Sequence, residues 1–340
     1  MKLKPTISIS GTLIGRNTKP YVIAEIGSNF DQDLSVAKKL ISESVMCGVN
    51  AVKFQLFSAK SLFPNMDGNY LDFKKVELNP NWIPELANYS KELGITFLCS
   101  VFDLNSLAVL ENCNVPAYKI ASSETTNLSL LRAVASTKKP VIISTGMCDM
   151  VDIEESVNAC IDSGNNEIAL LQCGAMYPLP EKLANLNVIK TLSSRFDCPI
   201  GFSDHTLGLL AGQIAVGVGA TIFEKHITLN KSNPGPDHFY ALTPEELKAY
   251  VENLHHAYSI LGDAEKIMLP DEIKFGRRDG IYFLRDLAAG SIITLKDIML
   301  KRPATGIRSR YVGQIIGKKI SCDCKKDTPL TWEAISNESE

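Results

Sequence analysis

Apolar residues alternate along the chain between two textures. Short runs of strand length stand at 21–26 (YVIAEI), 50–55 (NAVKFQ), 95–99 (ITFLC), 116–120 (PAYKI), 140–144 (PVIIS), 167–172 (EIALLQ), 199–202 (PIGF) and 221–226 (TIFEKH). Between them lie amphipathic stretches at 33–47, 127–136, 150–163, 206–217 and 243–260. In 33–47, Leu34, Ala37, Leu40, Ile41 and Val45 recur at helical spacing and form one apolar face, with Lys38 and Lys39 turned away from it. Short β runs alternating with helices predict βα units and a parallel sheet. Eight such runs over about 240 residues match the size of a (β/α)8 TIM barrel. A doubly wound sheet shares this texture but places a Gly-rich phosphate loop after its first strand. Here the first run leads into GSNFDQ, so the barrel is the expected α/β fold.

The texture changes near the C-terminus. Residues 262–276 (GDAEKIMLPDEIKFG) are charged, contain Pro270 and read as a linker after a catalytic barrel of 1–261. Beyond it, within 277–340, short β-type runs are broken by turns (GIYFL, AAGSIIT, IMLKRPATG, GKKISCDCKKDTPLT). This is the pattern of a small, mostly β domain. Such a domain buries a limited core alone, so it is expected to pack on the barrel or on a neighbouring subunit.

Composition narrows the function classes. The chain of 340 residues is 45% hydrophobic and 21% charged, as in ordinary globular proteins. A formal net charge of −3 gives no footprint for nucleic acid, and no block of like charge offers itself to an anionic membrane. The N-terminal MKLKPTISISGTLIG lacks the apolar stretch of a signal peptide. No run approaches the ~20 apolar residues of a membrane span. Nine cysteines, including Cys47, Cys99, Cys113 and Cys173, are an odd number without framework spacing. Reduced thiols in the cytoplasm are the expectation.

Barrels of this kind carry their chemistry where strands end and βα loops begin. Taken in chain order, the runs end at Glu25; at Lys53 and Gln55; at Ser100; at Lys119, with Ser122 and Ser123 next; and at Ser144 and Thr145. The sixth leads to Tyr177, the seventh to Ser203, Asp204 and His205, and the eighth to Glu224, Lys225 and His226. Singly, each has a plain structural reading: a Lys snorkels and a Ser satisfies a turn. Together they charge one rim from all eight runs, which a purely structural barrel does not need.

Of five histidines, His255 and His256 fall in a helical pattern and read as surface residues. His205 and His226 close neighbouring strands, roughly 5 Å apart. Two imidazoles at one level can share a cation, with oxygens from water or substrate completing a site for Mn²⁺, Mg²⁺ or Zn²⁺. From spacing alone a structural role for both stays open. Asp237 and His238, in the rigid loop NPGPDH, can enter the same mouth. Lys53 and Lys119, with Ser100, Ser122, Ser144 and Ser203, make a cradle for a phosphate or phosphorylated carboxylate. No Walker loop is present, which argues against a nucleoside triphosphate. Glu25 is the general acid/base candidate, and Glu224 is placed to orient the metal site or Lys119.

The segments IAEIGSN (23–29), AVKFQ (51–55), YKIASSE (118–124), PVIISTGM (140–147), GFSDHTLG (201–208), EKHIT (224–228), PGPDH (234–238) and KRPATGI (301–307) resemble those of the sialic acid synthase family, the N-acetylneuraminate, legionaminate and pseudaminate synthases. The C-terminal segment resembles that family's antifreeze-like (SAF) domain. The resemblance implies a homodimer whose SAF domains cap the partner's active site. It implies condensation of phosphoenolpyruvate with an N-acylmannosamine-type sugar and water, giving a nonulosonic acid and phosphate. It assigns a divalent metal, Mn²⁺ or Mg²⁺, to His205 and His226, and phosphoenolpyruvate to Lys53, Ser100, Lys119, Ser122, Ser144 and Ser203. Glu25, Gln55, Tyr177 and Asp237 are to face the sugar, and Arg302 is to reach the acylamino group in the neighbouring subunit.

Some positions depart from the family's pattern. Phe30 stands in place of a usual His, which is expected to remove a polar contact on the sugar side. Gly174 and Ala175 interrupt a usual C-T-[NS]-x-Y-P, which is expected to remove one hydrogen bond to phosphoenolpyruvate. Cys99-Ser100-Val101-Phe102-Asp103 stands for S-T-P-F-D, and Ala304 for a Gly. These changes bear on acceptor choice more than on reaction type, and AEIGSN is nearer the sialic and legionaminic branches than the pseudaminic one. Two other readings are a related phosphoenolpyruvate-dependent keto-acid sugar synthase and a non-catalytic sugar- or phosphoenolpyruvate-binding homologue.

Overall fold

The structure is a computed structural model that describes residues 2–64, 68–274 and 276–336. The chain divides into two compact units, Met1–Gly262 and Asp263–Glu340.

The first unit opens with a hairpin of β1 (Thr6–Ile9) and β2 (Thr12–Gly15), paired antiparallel with Ile9 opposite Thr12. Its two-residue turn, Ser10 (φ 48) and Gly11 (φ 82), has the left-handed backbone that matches strand twist. Eight parallel strands follow: β3 (Tyr21–Gly27), β4 (Ala51–Leu56), β5 (Thr96–Val101), β6 (Tyr118–Ile120), β7 (Val141–Ser144), β8 (Ile168–Cys173), β9 (Ile200–Asp204) and β10 (Ile222–His226). They close in chain order, β10 pairing with β3. This is the (β/α)8 barrel that the alternating texture predicts.

Helices Leu34–Met46, Leu128–Ser136, Met150–Asp162, Leu210–Gly217 and Pro244–Leu261 lie on the amphipathic stretches. Three further helices, Ile83–Glu92, Leu104–Asn112 and Val188–Arg195, complete one helix per strand. Capping boxes at Asp103/Ser106, Asp149/Asp152 and Thr243/Glu246 start three of the helices, the last with Pro244 in its first turn.

Side chains alternate in and out along each strand. Outward residues such as Val22, Phe54, Tyr118, Leu170 and Phe202 pack against the helices in the main core. Inward residues at the strand starts, Ile23, Ala51, Leu98, Ala117, Ile142, Leu171 and Ile222, form a second apolar cluster with the hairpin's Ile7, Ile9 and Ile14. The barrel therefore has an apolar floor, with the hairpin lying against it. Two residues further along the same strands come the next inward positions: Glu25, Lys53, Ser100, Lys119, Ser144, Cys173 and Glu224. The period of two thus lifts the chemistry one layer above the floor.

The second unit has one antiparallel pair, β11 (Gly280–Phe283) and β12 (Ile298–Lys301), over a core of Ile281, Phe283, Ile293, Ile315 and Leu330. Isolated bridges such as Leu287 with Cys324 supply the rest of its β character. The stretch expected as a linker contains a short helix, Pro270–Lys274. Asp297 pins a loop of this unit: Arg285 Nε donates to Oδ1 at 2.7 Å, and the Thr294 amide and hydroxyl donate to Oδ2 at 2.8 and 2.6 Å. All nine cysteines are free. No helix among the described residues is long and apolar enough to cross a membrane.

Candidate active site

The predicted rim residues meet as one interleaved charge layer. Lys53 Nζ stands 2.6 Å from Glu25 Oε2 and donates to Ser100 Oγ at 2.8 Å. Gln55 Nε2 donates to Glu25 Oε1 at 2.7 Å. Lys53 and Lys119 each lie 3.7 Å from Glu224 Oε1, to which Ser203 Oγ also donates at 3.2 Å. All four ionisable side chains are buried. Burying such groups is costly unless each is paired, which the alternation achieves.

The two carboxyls are driven apart. Burial lifts Glu25 to about 7, against the pull of Lys53 and with the help of the Glu224 charge. Burial also opposes ionisation of Glu224, but Lys119 and Lys53 outweigh it and hold that carboxyl down at about 2. Burial lowers Lys119, with Glu224 opposing. Lys53 goes the other way: burial opposes its charge, but Glu224 and Glu25 prevail and raise it. One carboxyl can thus hold a proton near neutrality while the other stays ionised beside the ammonium groups.

Ser144 Oγ and Glu224 Oε2 are buried with no hydrogen-bond partner among the described residues. A buried hydroxyl without an internal partner keeps its donor for a ligand. Ser122 opens a short 3-10 turn, and its Oγ accepts from the Gly146 amide at 2.9 Å. A Cβ on Gly146 would come within 2.8 Å of that oxygen, so glycine keeps the serine accessible to its backbone. Gly174 has a packing reason: a Cβ there would fall 2.6 Å from Leu179 Cδ2.

His205 and His226 come together as predicted, ring centroids 5.6 Å apart and both buried. His205 Nδ1 lies 2.9 Å from the Gly174 carbonyl oxygen, which can only accept. That bond calls for a proton on Nδ1 and so assigns Nε2 as the nitrogen able to ligate. Burial lowers the pKa of His226, with Asp237 and Glu224 opposing, and favours its neutral, ligating form. Among the described residues no group of three metal-ligating side chains gathers. Two imidazoles, with the other positions left to oxygen donors, fit a hard or borderline divalent cation.

Outward of the histidines a second network fixes them. Lys225 Nζ is 3.1 Å from Asp204 Oδ2, to which Tyr250 OH donates at 3.1 Å. Asp204 Oδ1 accepts from the Thr206 amide and hydroxyl at 2.9 and 2.7 Å, and Lys225 donates to the Thr206 carbonyl at 2.5 Å. These bonds grip the turn on both sides of His205. They also explain why the helix expected from 206 begins only at Leu210.

Tyr177, half exposed, lies against His205 at 4.3 Å between centroids, the rings tilted by 40°. Asp237 enters the mouth, its Oδ2 3.9 Å from His226 Nδ1. Three of its neighbours were not singled out by the sequence pattern. Ser28 Oγ and Tyr240 OH donate to Asp237 at 3.0 and 2.8 Å, and Asp31 binds His238 at 2.9 Å. His238 is thereby a loop clamp, also bonded to Thr228 at 2.7 Å.

Phe30 corrects an expectation. It does not border the sugar side. It is wholly buried in the core, its ring 6.2 Å from Phe54 and 6.3 Å from Trp82. Arg302 lies in the second unit, donating to Asp279 Oδ1 at 2.8 Å, with most of its side chain exposed.

Comparison with known proteins agrees with this geometry. The NeuB family profile matches residues 40–266, and the SAF domain profile matches residues 278–336. An uncharacterised protein of Methanocaldococcus jannaschii is 39% identical over 96% of this chain and 98% of its own length. The N,N'-diacetyllegionaminic acid synthase of Legionella pneumophila is 36% identical over 94% of this chain and 96% of its own. The crystal structure of an N-acetylneuraminic acid synthetase from Leptospira borgpetersenii, in complex with citrate, matches with a TM-score of 0.77 and 31% identity, over 81% of this chain and 96% of that one. With matches of this length on a barrel whose strand ends bear this charge layer, the chain belongs to the NeuB family of sialic-acid-type synthases and carries a SAF domain at its C-terminal end.

Proposed function

We propose that the protein condenses phosphoenolpyruvate with the open-chain aldehyde of an unphosphorylated N-acylmannosamine-type sugar. The products are a nonulosonic acid, of the N-acetylneuraminate or legionaminate type, and phosphate. The observation that carries this reading is the charge layer of Lys53, Lys119 and the unpartnered Ser144 hydroxyl, set beside the His205–His226 pair. It offers an anion site and a cation site in one mouth.

In the reaction, C3 of phosphoenolpyruvate attacks the aldehyde carbon and the aldehyde oxygen takes a proton. Water adds at C2, and the tetrahedral intermediate loses phosphate by C–O cleavage. Lys53 and Lys119, with Ser100, Ser122, Ser144 and Ser203, hold phosphoenolpyruvate, and the lysines stabilise the departing phosphate. Glu25, lifted toward neutrality and oriented by Gln55, moves the proton at the aldehyde oxygen or the water. Glu224 stays ionised and keeps both ammonium groups in place. Gln55, Tyr177 and Asp237 face the sugar. In a homodimer, Arg302 of the SAF domain meets the acylamino group in the partner's site.

His205 and His226 would hold Mn²⁺ or Mg²⁺, which supplies Lewis acidity toward the carbonyl oxygen when bound. A phosphorylated acceptor calls for a second, arginine-rich anion site, and no strand-end position is an arginine. Nine free thiols support the cytoplasm as the place of action.

The test is phosphate release from phosphoenolpyruvate with Mn²⁺ across a panel of amino sugars, each with and without EDTA. Sugar-dependent, EDTA-sensitive release is expected. Binding of phosphoenolpyruvate without release on any sugar would favour the non-catalytic homologue.

A further inference from the structure

Asp237 faces the acceptor in the reading above, and its placement depends on residues that take no part in that reading. Tyr240 OH donates to Asp237 Oδ1 at 2.8 Å, and Ser28 Oγ donates to Oδ2 at 3.0 Å. One donor on each oxygen fixes both the direction and the rotation of the carboxylate. Gly27 makes room for it. Its φ is +56, and a Cβ there would come within 3.0 Å of Asp237 Oδ2 and 3.3 Å of the His226 ring. The register of β3 against β4 shifts between Glu25 and Gly27, the kind of bulge that re-aims side chains beside active sites.

Tyr240 is itself held still. It is 2% exposed, and its ring stands edge-on to His226 at 5.0 Å and 5.7 Å from Tyr177. Its hydroxyl lies 3.4 Å from both nitrogens of His226, well beyond the 2.8 Å bond to Asp237, so the carboxylate is its true partner. In that bond the phenol O–H is the donor and the carboxylate oxygen the acceptor.

We propose that Tyr240 is a positioning residue, which holds Asp237 so that its remaining lone pairs accept from a hydroxyl or amide N–H of the acceptor sugar. The identity of that ligand rests on the synthase reading. Each oxygen of an ionised carboxylate accepts more than one bond, so two internal donors still leave acceptor capacity. The carboxylate offers no donor of its own. It therefore selects a donor group on the acceptor and rejects an analogue lacking that group, because the fixed carboxylate is then left unpaired.

Tyr240→Phe removes the hydroxyl and keeps the ring. The expected result is a KM for the acceptor raised about tenfold, from loss of a charge-assisted hydrogen bond. The KM for phosphoenolpyruvate, its calorimetric affinity and the melting temperature stay at wild-type values. Ser28→Ala should show the same split with a smaller change. An unchanged acceptor KM in Tyr240→Phe, or constants for both substrates moving together, would overturn the proposal. Crystal structures of unliganded wild type and Tyr240→Phe give a second readout. A rotated Asp237 carboxylate in the variant supports the role, and an unmoved one refutes it. That comparison needs no turnover. If wild type is inactive with every amino sugar, the synthase reading fails while the role of Tyr240 is still decided.

Discussion

Lys53 and Glu25 face each other across neighbouring strands, Nζ to Oε2 2.6 Å apart, with side chains only 2% and 1% exposed. The pair puts a proton-holding carboxyl in contact with the ammonium that is to hold phosphoenolpyruvate. Glu25→Gln keeps the shape and the bond to Gln55 but cannot carry the proton. Turnover should fall about 100- to 10,000-fold, the range for loss of a general acid–base group. Calorimetric binding of phosphoenolpyruvate should persist. Near-normal turnover would remove Glu25 from the proton role.

Metal removal separates chemistry from folding. With two imidazoles brought together among the described residues and the barrel closed by its own strands, a cation held there would not be a structural staple. EDTA should abolish phosphate release with little change in melting temperature, and Mn²⁺ should restore it. His226→Gln should give the same loss without restoration. A large fall in melting temperature on chelation would mean that the cation holds the fold together.

Gly201 tests the barrel floor. A Cβ there would strike the Ile222 carbonyl and come within 2.5 Å of Leu171 Cδ2. Gly201→Ala should destabilise the barrel by about 1–3 kcal/mol, as overpacking does. The urea midpoint reads this directly, and an unmoved midpoint would show a pliant floor.

Asp297 gives the second unit a pH dependence. Burial would raise its carboxyl, but the bonds from Thr294 and the Arg285 charge lower it below the usual value. A carboxyl lowered on folding contributes stability that is full above its unfolded pKa, about 3.9, and lost as pH falls through the lower folded value. Asp297→Asn should therefore destabilise the unit at pH 7, and its difference from wild type should shrink below about pH 4. Hydrogen exchange at 280–330 follows this, and a pH-independent difference would contradict it.

Much of this architecture is legible in the sequence because strands have a period of two. Once YVIAEI and NAVKFQ are set as strands, Glu25 and Lys53 must point inward, one step beyond Ile23 and Ala51. The same period places Lys119 and Glu224. Loops have no such period. Tyr240 lies 14 residues past His226, and only the returning chain brings its ring, with Asp237, back to that histidine. Phe30 misleads for the same reason. Its carbonyl accepts the Asp33 amide as the chain turns into the helix, and the ring joins Phe54 and Trp82. The first hairpin does carry a signal, since TISI and TLIG flank Ser10-Gly11, but it stands outside the alternation of strands and helices that marks the barrel.

That hairpin has a consequence for traffic. With Ile7, Ile9 and Ile14 clustered on the floor residues, the hairpin packs apolar side chains against the strand-start end of the barrel. Lys53 and Lys119 sit deep within it, 2% and 3% exposed, while Tyr177 stands at the threshold, 51% exposed. In the proposed reaction, phosphoenolpyruvate on the lysines is expected to bind before the sugar on Tyr177, an order that initial-rate kinetics checks. The short hairpin before the barrel thus bears on the order in which the proposed substrates would bind.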